Sequence, residues 1–568
     1  MEERDAFLKH KRCKIMDTEE LEKILEEKSR NYCWLFTLFI LASTPGIFNS
    51  MHITSYVFLS DNPKFWCDIA VLRNANWTDE QIRNVSAVNP QAVENCLMYD
   101  WDYENFKKIG YEEAIKYIEN NEKPSQVACT SYRYQEEKPS IVSEWDLVCE
   151  YTALKSVAQV AVALGKFSGA FVFGIFADKF GRKKCFTLSC FLYIISGPIA
   201  GFAQDYYLFL IMRLILGVAG SGVYENGYTI LTEMTVKRWR TQLGCLYNIS
   251  YSIGLIILPI LAYFSTDWRH LQYYLSFPAV ILLLHCWYLP ESPRWLITQG
   301  RYEEAKRIIF DKKQRNEMNL ETNSKSRSEP NREQNPDLKR NEEHHAWYKK
   351  LFSAAMKLFK LYTNGELLKR ILICYYGWFV ASMAYFVIAL NAHNFTANKY
   401  LYVALNGLSE APGYIVPLIV LVYMGRKLTS TLLFNIAGIA LIIILFLKDA
   451  TAVMIVALVG RFCISAVFAV IILHTSELFP TSNRNSAIGT SLTMAQLGAI
   501  VAPFIVDILG NIGWYIPSTL CGIVSVIAGL LILMLPETNN KPLPDQLQDV
   551  EDIKSKERVS CMNCFTFV

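Results

Sequence analysis

The sequence has few charged residues and no large excess of either sign. Charged residues make up 19% of the 568 residues, hydrophobic residues make up 52%, and the formal net charge is +3. A net charge this small gives no electrostatic basis for binding nucleic acid. The chain also lacks a G-x-x-x-x-G-K-[ST] motif, which argues against a nucleotide-driven pump. Because no nucleophile, paired carboxylates or metal ligands are grouped together, we expect neither an enzyme nor a bound cofactor or metal.

Charge is nearly absent from long hydrophobic stretches, such as 431–447 and 520–535. Such runs have about the length that a helix needs to cross the ~30 Å hydrocarbon core of a membrane. A soluble chain of this size would show amphipathic patterns around several cores instead. The sequence therefore predicts an all-α membrane protein with twelve spanning helices. We place them at 32–58, 152–176, 185–203, 206–228, 243–263, 271–289, 371–391, 399–423, 430–447, 452–474, 487–509 and 513–535.

A long polar insert divides these spans into two halves of six. The first 30 residues are highly charged, so no cleavable signal peptide is predicted. Lys and Arg are concentrated in the short loops after spans 2, 4 and 8, which places these loops, the insert and both termini in the cytoplasm. The predicted segments are a cytoplasmic N-terminal segment (1–31), a first six-helix bundle (32–290) with a loop at 61–150, a cytoplasmic linker (291–370), a second six-helix bundle (371–535) and a cytoplasmic tail (536–568).

The loop 61–150 is predicted to face the outside of the cell. It is acidic, with 17 Asp and Glu against 9 Lys and Arg. It contains glycosylation sequons at Asn76 and Asn84, and a further sequon at Asn394 falls in the outer loop after span 7. An even number of cysteines in an oxidising compartment predicts two disulfides, in one of three pairings. The four cysteines are Cys67, Cys96, Cys129 and Cys149.

The sequence Gly-Ile-Phe-Ala-Asp-Lys-Phe-Gly-Arg-Lys at 174–183 lies between spans 2 and 3, and it matches the loop motif of the major facilitator superfamily, G-x-x-x-D-[RK]-x-G-R-[RK]. Its small residues let helix ends approach, and its acidic residue, Asp178, is expected to pair with a basic group or cap a helix and so hold the cytoplasmic side shut. The second half keeps only 425–427, with Val422 at the acidic position, so we expect a weaker gate there. The gate residues are Gly174, Asp178, Gly181, Arg182 and Lys183.

Four further motifs indicate which family within this superfamily the chain resembles. Pro-Glu-Ser-Pro-Arg-Trp-Leu at 290–296 and Leu-Pro-Glu-Thr at 535–538 occur in sugar porters and in organic ion transporters. Ser-Glu-Trp-Asp-Leu-Val-Cys at 143–149 and Gly-Tyr-Thr-Ile-Leu-Thr-Glu at 227–233 look like the organic ion transporters alone. The chain therefore resembles the organic cation/carnitine/anion transporter family (solute carrier family 22). That resemblance implies two pseudo-symmetric bundles, alternating access to a central site, and residence in the plasma membrane.

Ionisable residues inside spans are candidates for substrate contact because burying them in a membrane is expensive. Glu410 is the leading candidate, since its context resembles the motif in which organic cation transporters present a glutamate to the cavity. A structural ion pair is the alternative for Glu410 and for Arg461, and a structural role is the alternative for Arg213, which lies near the start of its span. The remaining ionisable candidates are Lys166 and Glu225.

The resemblance also assigns uncharged residues to the cavity. Tyr224, Trp378 and Tyr385 match cavity-lining positions, where aromatic faces attract ammonium ions. Asn248 is expected to add a hydrogen bond. Tyr414 and Gln496 stand where anion transporters carry basic residues, which disfavours dicarboxylates, although Gln496 also departs from the acidic residue of cation transporters.

These features predict a transporter of small organic cations or zwitterions. Two alternatives stay open: an organic anion transporter of the same family, and a transport-dead sensor or scaffold. The chain ends in Thr566-Phe567-Val568, a pattern that PDZ domains bind, so a PDZ-domain partner is also predicted.

Overall fold

The computed structural model describes most of the membrane domain and of the loop after the first span. The described residues are 25–26, 29–61, 63–89, 96–135, 138–309, 365–395, 398–480 and 483–539. Most of the predicted N-terminal segment, the linker between 310 and 364, and the tail from 540 with its PDZ-type end lie outside them.

The first half contains helices α1 to α6, and two of them are interrupted. The helix α1 breaks at Ser55 and continues as Tyr56–Leu59, while α6 passes through a 3-10 turn, Phe277–Ile281, into Leu282–Tyr288. The break in α6 includes Pro278, which removes one backbone donor from the helix. The bounds are α1 Tyr32–Thr54, α2 Thr152–Phe180, α3 Arg182–Phe202, α4 Tyr206–Met234, α5 Ile249–Phe264 (after a helix at Lys237–Tyr247) and α6 Trp268–Ser276.

The second half contains helices α7 to α12 in the same order. Its fifth helix, α11, runs on through a π-helical turn, Ile505–Leu509, and a short helix, Gly510–Ile512. The bounds are α7 Gly365–Leu390, α8 Lys399–Met424, α9 Arg426–Ile443, α10 Ala450–Leu478, α11 Arg484–Phe504 and α12 Ile516–Ile532.

The helices confirm the prediction of an all-α membrane architecture. Ten helical segments among the described residues are long and apolar enough to cross a membrane. The other two predicted spans differ from this pattern: α12 is apolar but shorter, and α6 is divided by its 3-10 turn. Both α6 and α12 still coincide with the apolar runs predicted as spans, 271–289 and 513–535.

Small residues set the distance between helices inside the first half. At the crossing of α2 and α4, a methyl group added to Gly165 would lie 2.2 Å from the Leu214 carbonyl oxygen, and one added to Gly217 would lie 2.3 Å from the Val162 carbonyl oxygen. Membrane helices commonly associate through such residues, because close backbone approach replaces the missing hydrophobic driving force. The crossing fixes how α4 is rotated relative to α2.

The loop between α1 and α2 forms a small folded unit with its own core. The strand β1 (Lys64–Cys67) pairs antiparallel with β4 (Tyr132–Gln135), and β2 (Leu97–Tyr99) pairs antiparallel with β3 (Gln126–Ala128). Of the three disulfide pairings left open by the sequence, the structure contains Cys67–Cys129 and Cys96–Cys149. Residues buried in this unit include Ile69, Leu72, Ile82, Val85 and Phe106.

The motif at 143–149 fastens this unit to the membrane bundle. The Glu144 carboxylate accepts a hydrogen bond from the Trp268 indole at 2.6 Å and forms an ion pair with Arg269, both at the start of α6. Trp145 packs against Trp268, with ring centroids 5.3 Å apart. The motif at 143–149 therefore connects the loop unit to the membrane bundle.

The three predicted glycosylation sites have different surroundings. Asn76 is exposed in a turn. Asn84 is also exposed, but its sequon lies within the helix Asp79–Ser86, and the Ser86 hydroxyl is buried. Asn394 belongs to the short helix Ala392–Phe395, and its side chain lies outside the described part of the chain. Glycosylation at all three stays a prediction.

Candidate functional site

The two halves pack against each other through α5 with α8 and α2 with α11. At the first of these crossings a methyl group on Gly407 of α8 would lie 2.8 Å from the Ser252 carbonyl oxygen of α5. The approach brings residues of both halves together near the middle of the chain's membrane region. Tyr224 and Tyr251 of the first half lie within electrostatic range of the Glu410 carboxylate of the second.

A cluster of polar groups joins the halves on the side of the membrane that carries the loop 61–150, here called the loop side. The Lys155 ammonium of α2 lies 3.3 Å from the Asp507 carboxylate, which belongs to the π-helical turn after α11. Ser156 donates to the same carboxylate at 2.6 Å, and the Tyr56 hydroxyl also donates to it. We call these four residues the latch. Lys155 and Asp507 are both buried, so the latch is shielded from water.

Two further contacts tie the halves together on the loop side. Lys399, at the start of α8, forms an ion pair with Asp61, just after the first span. The rings of Phe58 and Tyr400 stack beside it with centroids 5.3 Å apart. The loop side of the molecule is therefore closed.

On the opposite side, each half carries the same turn. Gly181 and Gly425 adopt positive φ angles of 105° and 76°, a conformation that favours glycine, and each precedes a helix. In the first half the Glu291 carboxylate of the Pro-Glu-Ser-Pro motif accepts hydrogen bonds from the backbone N–H groups of Arg182 and Lys183, at 2.9 and 3.1 Å. A carboxylate at a helix N-terminus is stabilised by the helix dipole and the free N–H groups.

The second half repeats this arrangement with different residues. The Glu537 carboxylate of the Leu-Pro-Glu-Thr motif accepts hydrogen bonds from the backbone N–H groups of Arg426 and Lys427, at 2.9 and 3.1 Å. Arg426 forms an ion pair with Glu477 at 3.1 Å, and Arg182 forms one with Glu233 at 3.2 Å. The second turn therefore keeps two acidic partners, Glu537 and Glu477, although Val422 stands at the aspartate position. From the sequence alone we expected a weaker gate in this half.

The remaining gate residues face water in this conformation. The Asp178 carboxylate is 79% exposed and pairs with Arg182 of its own turn at 3.0 Å. A methyl group on Gly174 would meet no heavy atom within 4 Å. Asp178 does pair with a basic group, as expected, but that group belongs to its own turn, and its role in holding this side shut stays a prediction.

Glu410, the leading candidate from the sequence, is fully buried and already neutralised. Its carboxylate forms an ion pair with Arg461 at 2.7 Å and accepts hydrogen bonds from Tyr385 at 2.9 Å and Tyr414 at 2.7 Å. The Arg461 guanidinium also lies 3.5 Å from the centre of the Tyr385 ring and donates to the Tyr385 carbonyl at 2.8 Å. Glu410 therefore forms the structural ion pair that the sequence left open as the alternative.

The aromatic candidates divide between core and cavity. Trp378 is buried, and its indole donates to the Thr475 hydroxyl at 3.1 Å, so in this structure it is a packed core residue. Tyr224 is only partly buried, and its hydroxyl donates to the Asn248 side-chain oxygen at 2.9 Å. Gln496 of α11 is also partly buried. Tyr224, Asn248 and Gln496 remain candidates for substrate contact.

Two ionisable candidates remain accessible. Glu225 of α4 is exposed although it lies inside a span, and its carboxylate accepts one hydrogen bond, from Ser221 at 2.7 Å. Lys166 of α2 is partly exposed and interacts electrostatically with Glu225. Among the described residues neither group forms an ion pair as close as those at Glu410 or in the latch. One acidic and one basic group are therefore available to a solute.

Sequence reasoning missed the latch. Asp507 lies inside the predicted span 487–509, so a charged residue within a hydrophobic run was the signal that could have found it. Lys155 lies near the start of α2, where a lysine is ordinary, and only the packing of α2 on α11 gives it a partner.

The sequence model of the family described as "Sugar (and other) transporter" matches residues 110–549. Among curated proteins, the chain is 31% identical to the "Organic cation transporter protein" of Drosophila melanogaster, over 91% of this chain and 92% of that protein. It is 28% identical to "Solute carrier family 22 member 3" of Mus musculus, over 92% of this chain and 94% of that protein. It is also 31% identical to "Organic anion transporter 3" of Homo sapiens, over 74% and 76% of the two chains.

Among solved structures, the chain resembles the xylose transporter XylE of E. coli in a partially occluded inward open conformation. The TM-score is 0.56 at 15% identity, and the match covers 90% of this chain and 100% of that one. At this identity the likeness shows a shared fold alone, and together with the family match it supports the all-α fold of the major facilitator superfamily.

Proposed function

Because this chain belongs to the sugar (and other) transporter family, and within it to the organic cation/carnitine/anion transporters, it is a membrane transporter of small organic solutes; we propose that it prefers zwitterions. The observation that carries the proposal is the pair of accessible, oppositely charged groups at Glu225 and Lys166. Glu225 would receive the ammonium end of the solute, and Lys166 its carboxylate end. A zwitterion satisfies both groups at once, whereas a simple cation leaves Lys166 without a counter-charge.

The neutralisation of Glu410 supports this assignment. A carboxylate that already holds an arginine and two phenol hydroxyls has little capacity left for an ammonium ion. Displacing Arg461 would leave a buried cation unpaired, which is unfavourable in a protein interior. We therefore assign the recognition of the ammonium group to Glu225, and give Glu410 the task of holding α8 against α10.

Tyr224, Asn248 and Gln496 complete the proposed site with neutral groups. Tyr224 lies within electrostatic range of the Glu225 carboxylate, so its ring would help to attract an ammonium group held there. The Asn248 amide and the Gln496 amide would hydrogen-bond polar parts of the solute. An organic anion is the second candidate, favoured by the unneutralised Lys166 and by the similarity to an organic anion transporter.

The surroundings of the protein are part of the same proposal. We assign the loop side to the cell exterior and both termini to the cytoplasm, in the plasma membrane, on the basis of the basic short loops and the two disulfides. The latch then closes the outer side, and alternating access requires it to open. A PDZ-domain partner at Thr566-Phe567-Val568 is proposed from the sequence alone.

Uptake measurements with charge-neutralising variants test the zwitterion proposal. We expect Glu225→Gln to reduce the uptake of both betaines and simple amines by about tenfold or more, since a carboxylate about 4 Å from a cationic nitrogen attracts it by roughly 1–4 kcal/mol between water and a protein cavity. Lys166→Gln should reduce betaine uptake and leave simple amine uptake unchanged or higher. Glu119→Gln, at an exposed carboxylate of the loop, is the matched control and should transport as the wild type does.

The panel should contain matched solutes that differ only in charge, such as a quaternary amine, its betaine and its dicarboxylate. Uptake is divided by the amount of protein at the cell surface, so that folding defects are separated from lost recognition. If Lys166→Gln lowers amine and betaine uptake equally, the proposed site, in which Glu225 and Lys166 bind opposite ends of the solute, is wrong. If the wild type prefers dicarboxylates, the organic anion candidate replaces it. If no solute in the panel is taken up by the wild type at all, a sensor or scaffold role becomes the better interpretation.

A further inference from the structure

Arg213 of α4 is a fully buried arginine without a carboxylate. The other buried cations among the described residues each have one: Lys155 with Asp507, Arg370 with Glu366 and Arg461 with Glu410. No Asp or Glu of the described residues lies within 4 Å of the Arg213 guanidinium, whose side chain has an exposed fraction of 0%. Burial of an uncompensated charge is strongly unfavourable.

The partners that Arg213 does have are neutral. It donates to the His52 carbonyl oxygen at 3.2 Å, to the Ser55 hydroxyl at 3.3 Å and to the Gln159 amide oxygen at 3.4 Å. The Nε–H group has no partner. These contacts orient the guanidinium between α1 and α2 but do not neutralise it.

Further donors lie near it. The Asn49 amide nitrogen and the Tyr193 hydroxyl are buried without partners. The neutral His52 ring carries a single N–H, beside the Leu275 backbone, and both His52 and Tyr193 lie within electrostatic range of Arg213. The His52 and Tyr193 rings meet edge to face, with centroids 5.5 Å apart. A methyl group on Gly220 of α4 would lie 2.7 Å from the Asn49 side-chain oxygen and 3.4 Å from the Tyr193 ring, so these residues adjoin one another.

We propose that this cluster, formed by Asn49, His52, Tyr193 and Arg213, binds a small inorganic anion of the size of chloride. A set of unpartnered donors around an uncompensated guanidinium lacks both a negative charge and hydrogen-bond acceptors, and one halide ion supplies both. A water molecule would satisfy the donors but would leave the charge uncompensated. The site lies within the first bundle, between α1, α3 and α4, and shares no residue with the proposed substrate site.

Thermal unfolding of the purified full-length protein in different salts tests the site. At equal ionic strength, chloride or bromide should raise Tm above its value in gluconate, in a saturable way, by about 5 °C at a concentration of roughly 100 times Kd. Arg213→Gln should abolish this difference between the salts. Gln159→Glu should also abolish it, because Gln159 already contacts the guanidinium and the new carboxylate supplies the counter-charge from the chain itself, and its Tm in gluconate should approach that of the wild type in chloride.

A matched variant separates the anion site from general effects of salt. Arg370→Gln removes a buried arginine that has its own carboxylate, so it should lower Tm in both salts and keep the chloride response. If Arg213→Gln does not fold, the wild-type titration and Gln159→Glu still decide the matter. An identical Tm of the wild type in chloride and gluconate would overturn the proposal, as would a chloride response that persists in Gln159→Glu. Anomalous scattering from bromide beside Arg213 would locate the ion directly.

Discussion

The Lys155 ammonium of the first half and the Asp507 carboxylate of the second lie 3.3 Å apart, buried at the loop side of the molecule. Asp507 occupies a π-helical turn, a distortion that often marks functional positions in helices. Because the two residues belong to α2 and to the end of α11, the pair exists only while the loop side is closed. Opening that side would separate two buried charges.

We expect Asp507→Asn to weaken closure of the loop side, since breaking one partner of a buried ion pair costs about 3–5 kcal/mol. Phe58→Cys and Tyr400→Cys, introduced together, report on closure, because these rings stack at 5.3 Å in the closed state. Oxidative cross-linking of this cysteine pair should be slower when Asp507→Asn is added. Lys155→Asp combined with Asp507→Lys restores opposite charges and should recover most of the rate. An unchanged rate in Asp507→Asn would mean that the pair does not control closure.

The two disulfides of the loop are expected to differ in what they hold together. Cys67–Cys129 lies within the loop unit, whereas Cys96–Cys149 connects it to the short 3-10 helix Cys149–Tyr151, which leads into α2. Removing a native disulfide from a small extracellular domain costs about 2–5 kcal/mol. We expect the double variant Cys96→Ser, Cys149→Ser to reduce surface expression, measured by surface biotinylation.

The matched double variant is Cys67→Ser, Cys129→Ser, which should release the sheet of β1 and β4 but leave the connection to α2 intact. Mass mapping of the native protein should find no free thiol among the four cysteines. Normal surface expression of both double variants would show that the bridges are not needed for folding, and a different pairing in the mass map would contradict the structure.

The sequence predicted the helices well because hydrophobic runs and charged loops mark them directly. The helix α8 was placed at 399–423 and observed at Lys399–Met424. The interruption of α6 was not predicted, since the apolar run continues through Phe277–Ile281 and only Pro278 signals it. Hydrophobicity therefore located the spans, but it did not show where a helix breaks.

Which polar residues pair with each other was much harder to predict from the sequence. Glu410 and Arg461 were both recognised as unusual, but whether they meet depends on how α8 packs on α10, and they are 51 positions apart in the chain. The equivalence of Glu291 and Glu537 as caps of the two turns is likewise a product of three-dimensional symmetry. Conversely, the cost of placing a charge in a span marked these ionisable residues as candidates, and the packing of the helices separates those that are paired from those that are accessible.

Glu537 provides a pH-dependent test of that symmetry. Partial burial raises the pKa of its carboxyl, but four backbone N–H donors, at Arg426, Lys427, Thr538 and Asn539, outweigh this and hold the pKa below its usual value. A carboxyl group whose pKa is lower in the folded than in the unfolded state stabilises the fold at pH values above its unfolded-state pKa. This stabilisation is lost as the pH falls through the folded-state pKa. We expect Glu537→Gln to lower Tm at pH 7 and to have a smaller effect as the pH falls below about 4.3, the ordinary value for a glutamate. Equal effects at both pH values would mean that the cap is not electrostatic.

The last prediction concerns Glu410, which we expect to stabilise the fold. Glu410→Gln should leave the buried Arg461 guanidinium without its counter-charge and reduce the amount of folded protein, at a cost of about 3–5 kcal/mol. Tyr414→Phe removes a single hydrogen bond to the same carboxylate and should cost about 1 kcal/mol. Detergent-solubilised protein, followed by size-exclusion chromatography and Tm, measures both.

A paired hydrophobic replacement separates this structural role from recognition of the solute. Because well-packed apolar residues often replace a buried ion pair without loss of stability, Glu410→Leu combined with Arg461→Met should recover folding that either change alone abolishes. If Glu225 receives the ammonium group, the recovered double variant should still take up the wild-type solute, since the site keeps both of its accessible charges. A well-folded double variant that has lost uptake entirely would return the ammonium group to Glu410, and the carboxylate would then have to exchange Arg461 for the solute during each transport cycle.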